Sequence, residues 1–402
     1  MKRLLSSITL LLAVSFYFTA KAQSLEEQLR IADSLKVQYG ETDSRYLDAL
    51  SKAVPIAYNE GKVNAAIETR RLHTEIIKRM YGEESPEYIE DVWRLGNIIA
   101  NSKPIDSIEY YEKVVSFLNS FRQEGTVLFC SSQWRLYWAY REKQDWPSAI
   151  NALNQFVKNA PTCVGIDWKG NSIQHIDIAY GYFFLGTAYG GIVKDNELAL
   201  NAFEKCVSIL EEKELFNDFV YTNAAFSLLS TSYISAKNYG NALKWRLRSA
   251  EMTARLKGIN SDDYINELIL LRGCYSFLED SENEIATQER ALSLIQARNK
   301  EKGIDDIYDE QYLKELDYLY IAYSLAHRRQ DELAQLLSLL NIYEKRGETK
   351  SELYLKYLDR LVFFYHIEED YIAEYQLFAK YDAIVRDLGK QETEEYYRFY
   401  IT

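Results

Sequence analysis

A turn written three times constrains this chain more than any other feature of its sequence. Tyr39-Gly40-Glu41-Thr42-Asp43-Ser44-Arg45-Tyr46 returns 42 positions later as Tyr81-Gly82-Glu83-Glu84-Ser85-Pro86-Glu87-Tyr88. The apolar positions around it keep the same offset, pairing Leu35 with Ile77, Leu50 with Val92 and Ala53 with Leu95. A third copy places Gly258, Tyr264, Leu268 and Leu271 in the same order. Glycine takes the left-handed conformation that closes a helix. The acidic and hydroxyl residues after it supply a turn and an N-cap, and the tyrosine starts the next amphipathic helix. Self-similarity at such a period is the signature of stacked supersecondary units.

A second pattern runs between the turns: an apolar residue, a small or variable one, a tyrosine, then a small residue followed by bulky ones. It reads Leu136, Tyr137, Tyr140, Ala149, Leu153, Phe156 and Pro161, and again Leu185, Gly186, Tyr189, Ala199, Phe203 and Cys206. It returns as Leu229, Ser230, Tyr233, Ala242 and Arg246, and more loosely around Tyr275, Tyr323 and Tyr365. Pro55 and Glu284 depart from it. Composition agrees with helices on short connections. There are 17 glycines and 5 prolines in 402 residues, against average usage of about 7% and 5%. A sandwich, a propeller or a glycine-rich nucleotide-binding sheet needs more turn formers. With 47% hydrophobic and 14% aromatic residues, the chain is also no candidate for disorder. Each helix pair carries two apolar stripes and can hide only one by itself, so neighbouring pairs must cover the other.

The units Leu185-Gly186-x-x-Tyr189…Ala199…Phe203 and Leu136…Tyr140…Ala149…Pro161 resemble the tetratricopeptide repeat. Those with Ile77-Lys78-Arg79-Met80-Tyr81-Gly82-Glu83-Glu84-Ser85-Pro86 look like the longer variety, of 42 residues, found in kinesin light chains. The resemblance covers roughly residues 24–385. It implies an all-α fold, a right-handed α-solenoid of about eight helix pairs over residues 23–402, preceded by the half-unit Leu25–Gln38. It also implies a concave groove lined by first-helix positions. Carried over residue by residue, these are Trp93, Asn97, Trp134, Trp138, Arg141, Tyr180, Phe183 and Thr187, with Thr231 and Asn266 further along. Trp134, Trp138 and Arg141 lie at i, i+4 and i+7, on one helical face. Tryptophan and arginine dominate binding hot spots; the alternative is that both tryptophans are buried against a neighbouring helix. Most of the 33 tyrosines are expected as packing between layers.

Residues 1–22 read as a secretory signal peptide: Lys2 and Arg3, a largely apolar stretch from Leu4 to Phe18, then Ala20-Lys21-Ala22, with cleavage before Gln23. The stretch is short for a membrane span. The first cysteine is Cys130, far from the cleavage site, so no lipid anchor is expected. The expected product crosses the inner membrane, is periplasmic or extracellular, and has no stable membrane insertion once the signal is cleaved. The net charge of −13 argues against a nucleic-acid partner. Cys130, Cys163, Cys206 and Cys274 form no CxxC pair and are expected as free buried thiols, except Cys163, which is expected to be exposed in a loop after Pro161.

No catalytic chemistry is legible. His73, His175, His327 and His366 form no close metal pair, and there is no GxSxG, P-loop or strand-borne GxGxxG. Adjacent acids such as Asp262-Asp263 splay apart on a helix and make no acid/base dyad. No enzyme activity, cofactor or metal is expected. The leading expectation is a non-catalytic scaffold that binds a protein or peptide partner in its groove. The alternatives are a sensory or regulatory module related to periplasmic repeat domains of bacterial signalling proteins, and a glycan-binding protein.

Overall fold

The computed structural model describes residues 24–218 and 220–389. The signal sequence read in 1–22 and the tail Gln391–Thr402 lie outside the described residues. The chain divides into two compact units, within residues 1–219 and 220–402. The first contains α1 (Leu25–Tyr39) and the pairs α2 (Ser44–Asn59) with α3 (Val63–Tyr81), α4 (Pro86–Ala100) with α5 (Ile108–Ser120), α6 (Val127–Glu142) with α7 (Trp146–Asn159), and α8 (His175–Ala188) with α9 (Asn196–Glu212). The second contains α10 (Thr222–Ser235) with α11 (Tyr239–Lys257), α12 (Asp262–Phe277) with α13 (Ser281–Lys302), α14 (Glu310–Leu325) with α15 (Arg329–Lys345), and α16 (Glu352–Ile367) with α17 (Tyr371–Asp387). Within each unit every helix packs on the one before and the one after it, so each is an all-α solenoid of stacked helix pairs. The described residues hold no β-strand beyond two isolated bridges, Val164 with Ile173 and Trp168 with Asn171. No described helix is long and apolar enough to cross a membrane.

The thrice-written turn folds the same way each time. Gly40, Gly82 and Gly258 stand at φ 95°, 90° and 92°, where a side chain is strained. Their backbone N–H groups reach back to the carbonyls of Lys36, Lys78 and Ala254. Asp43, Ser85 and Ser261 then cap the next helix, accepting from the N–H groups of Arg45, Tyr88 and Tyr264. Paired to Arg45, the Asp43 carboxyl is held down to about 2. Tyr46, Tyr88 and Tyr264 follow into the core, all buried.

Small residues at the crossings let the paired helices approach. A Cβ on Gly186 would lie 2.6 Å from the Phe203 ring, so that position accepts no side chain without movement. Ala149, Ala199 and Ala242, the small residues of the second helices, are buried too. Helix α2 runs on through Pro55, so the first pair persists despite the lost backbone donor. Tyrosines fill the space between layers, and buried hydroxyls find partners: Tyr111 donates to Asn97 Oδ1 at 2.7 Å and Tyr323 to Glu289 Oε1 at 2.6 Å.

All four cysteines are buried and free, Cys163 included. Its expected exposure is therefore corrected. After α7 the chain turns through a 3₁₀ segment, Ala160–Cys163, which folds the thiol back onto α6. There its Sγ lies 3.6 Å from Cys130 Sγ and donates to the Ala160 carbonyl at 3.4 Å. Burial pushes both thiols up, and they behave as small apolar side chains.

Candidate functional site

The first helices of three successive pairs, α4, α6 and α8, position all eight residues named as groove candidates. Thr126 caps α6 by accepting from Phe129 N–H at 3.3 Å, and Asp177 fixes the start of α8 by accepting from Gln174 N–H at 2.8 Å. Between α6 and α8 the aromatic side chains meet. Trp134 and Trp138 stand edge to face, with ring centroids 6.1 Å apart. Phe184 approaches both, at 6.0 Å and 5.3 Å, and Tyr180 stacks behind Phe184 at 6.4 Å. Trp134 leans on Phe156 of α7 at 5.1 Å and is half-buried. Trp138 keeps 36% of its surface open. The Arg141 guanidinium sits 4.9 Å from the Trp138 ring centroid and is itself exposed, which makes an open cation–π pair at the edge of the cluster.

The other candidates are placed differently. Phe183 is buried and packs against Phe203, at 6.1 Å, inside its own pair. Thr187 is half-buried and donates to the Phe184 carbonyl at 2.8 Å. Asn97 is half-buried, with Oδ1 occupied by the Tyr111 hydroxyl. Trp93 is only 7% exposed, because a segment from after α7 lies on it. That segment forms a small hairpin in which Trp168 and Asn171 exchange backbone hydrogen bonds, at 2.7 and 2.9 Å. It sets the Trp168 ring edge-on to Trp93 at 5.3 Å, and Lys169 pairs with Glu90 of α4. The indole N–H of Trp93 is buried without an acceptor.

The structure thus brings Trp134, Trp138, Arg141 and Tyr180 together, and adds Phe184, which the sequence reading passed over. Its signal was present: Tyr180 and Phe184 repeat the i, i+4 spacing of Trp134 and Trp138. Choosing Phe183 instead rotates the face by about 100°. Among the described residues no group of three His, Cys, Asp or Glu side chains converges as a metal site.

No protein-family model matches the chain, and no curated protein aligns with it. Its structural neighbours are TPR-like repeat proteins. One is a putative kinesin light chain from Podosopora anserina with nearly identical TPR-like repeats, at 19% identity and a TM-score of 0.40, covering 52% of this chain and 95% of that one. BtubC (BKLC) from P. vanneervenii is 16% identical, with a TM-score of 0.39, over 64% of this chain and 92% of its own. The C-terminal part of a TPR repeat-containing protein from Cytophaga hutchinsonii is 11% identical, with a TM-score of 0.42, over 76% of this chain and 98% of its own.

Proposed function

We propose that this protein is a non-catalytic scaffold which holds a segment of a protein partner against the aromatic face of α6 and α8, and that it works beyond the inner membrane after losing residues 1–22. The observation that carries the reading is the open Trp138–Arg141 pair backed by Trp134, Phe184 and Tyr180. A rigid aromatic floor with one exposed indole and one exposed guanidinium offers area, a hydrogen-bond fork and little conformational entropy to lose. Trp138 and Arg141 are the anchors, Trp134 and Phe184 fix the indole from behind, and Tyr180 extends the floor along α8. Trp93 and Phe183 support the fold beside this face.

A photo-crosslinking amino acid at position 138, in cells carrying the full chain, tests the binding reading. The expected result is a discrete adduct with a protein, lost when Arg141 is replaced by alanine. Equal capture of the same proteins by Trp138→Ala, Arg141→Ala and unaltered chains in an affinity purification excludes this face. N-terminal sequencing of the protein from fractionated cells checks the location: a start at Gln23 in the periplasmic or extracellular fraction is expected, and an intact Met1 overturns it.

A further inference from the structure

The connection from α7 to α8, residues 160–174, is the longest between helices among the described residues. It is also irregular. The 3₁₀ turn Ala160–Cys163 leads into the hairpin of the isolated bridges Val164–Ile173 and Trp168–Asn171. Fixing such a segment costs conformational entropy, and two isolated bridges return little of it. Yet the segment holds a defined position: Trp168 covers Trp93, and Lys169 reaches Glu90 of α4. Cys163 stands at its base, where the chain leaves the turn. The sulfur it meets, on Cys130, comes from the start of α6, a regular helix capped by Thr126.

The two sulfurs already touch. Sγ lies 3.6 Å from Sγ, and neither residue has exposed surface. A disulfide needs about 2.05 Å, so closure asks for about 1.5 Å in all, which falls to the irregular turn rather than to a helix. The pair is 33 residues apart in sequence, and a bond across a loop of that size removes much freedom from the unfolded chain. Cys206 in α9 and Cys274 in α12 make no such contact and serve as an internal comparison. In the reduced fold both thiols of the pair are pushed up by burial, so neither is a nucleophile once the layer has closed. A bond between them has to form while the chain folds, before the turn docks on α6.

We propose that Cys130 and Cys163 are joined as a disulfide during folding, and that this bond fastens the base of the Trp168 hairpin to α6. The inference rests on the reading that the chain works beyond the inner membrane, where such bonds form and persist. The oxidant is a protein or small-molecule disulfide of that compartment. One cysteine thiolate attacks it, forms a mixed disulfide and expels the first thiolate. The other cysteine thiolate attacks the cysteine sulfur of that mixed disulfide, forms the Sγ–Sγ bond and expels the second. The two cysteine protons end on the two expelled thiols, and the oxidant takes up the two electrons.

The test unfolds and reduces the full chain, then refolds it in a buffer of reduced and oxidised glutathione. Free thiols are alkylated under denaturing conditions, and the chain is digested with trypsin without reduction. The expected product links the peptides 123–135 and 159–169, with Cys206 and Cys274 alkylated. The thermal midpoint of the linked chain should exceed that of the reduced chain by about 5–10 °C. Tryptic cleavage of the folded protein after Lys169 should be slower in the linked form. In Cys163→Ala neither readout should respond to the glutathione ratio. Alkylated thiols at both 130 and 163 after refolding, a link to Cys206 or Cys274 instead, or a linked chain no more stable than the reduced one would each overturn the proposal. The refolding result does not depend on where the protein works. An intact Met1 in cells with the link formed in the refolded chain overturns the location alone, and a start at Gln23 with two free thiols overturns the link alone.

Discussion

Two layers of the molecule solve the same packing position in opposite ways. Four residues after the small crossing residue of the second helix, the first unit has Phe203 in α9 and the second has Arg246 in α11. Both are almost completely buried. Phe203 lies against Gly186, where the backbone of α8 comes close enough to touch its ring. Arg246 instead donates to Ser227 Oγ at 2.8 Å and to the Ser227 carbonyl and Thr231 Oγ1, each at 3.2 Å, and it pairs with Glu267 of α12 at 3.3 Å. Ser249 completes the set by donating to Glu267 Oε1 at 2.9 Å. An apolar layer accepts any filling of the right volume. A polar one demands that every member be present, since one charge left alone in the interior is costly. The repeat therefore fixes the backbone and leaves the interior chemistry open.

The largest expected effects test that contrast directly. Phe203→Ala and Glu267→Ala should each cost about 3–5 kcal/mol, by an unfilled cavity and by a stranded guanidinium respectively. Hydrogen exchange across α8–α9 and α11–α12 would assign each loss to its own layer. Gly186→Ala should cost about 1–3 kcal/mol in denaturant unfolding, because its methyl group meets the Phe203 ring. Arg246→Met combined with Glu267→Leu should return stability to within about 1 kcal/mol of the original or above it, since the desolvation of two charges goes with them. A large loss in the pair would show that the polar layer cannot be exchanged for an apolar one.

Acid is the gentlest probe, and it separates polar from apolar layers. Between α3 and α4, Asp91 accepts from Thr74 at 2.6 Å, lies 3.0 Å from His73 Nδ1, and pairs with Arg70 at 3.5 Å. Burial pushes its carboxyl up, but the His73 hydrogen bond and the Arg70 charge outweigh it and hold it below the ordinary value. A carboxyl lowered in the folded state contributes stability above its unfolded value, about pH 4, and loses it as pH falls through the folded one. Protection against exchange in α3–α4, taken relative to the intrinsic rate at each pH, should therefore fall below about pH 4, while that in α8–α9 changes less.

Much of the fold was legible because it is local. The turns at Gly40, Gly82 and Gly258 each carry their own breaker, cap and core tyrosine within seven residues. Contacts made by irregular segments were not legible. Cys163 was expected at the surface because a proline precedes it nearby, but the 3₁₀ turn that buries it has no periodic signal. Trp93 was expected in an open groove, yet Trp168, far along the chain, lies on it. Within α8 the face itself was misjudged by one residue, since Tyr182, Phe183 and Phe184 are all aromatic and hydrophobicity alone cannot orient that helix.

The self-contained joints at Gly40, Gly82 and Gly258 have one more implication. Each is closed by its own glycine and its own capping side chain, through hydrogen bonds between residues no more than four apart. A gene segment cut at such points can be duplicated or deleted as a whole module without redesigning the hinge. Lengthening or shortening by complete hairpins is thus the cheapest route by which a protein of this kind acquires a different reach.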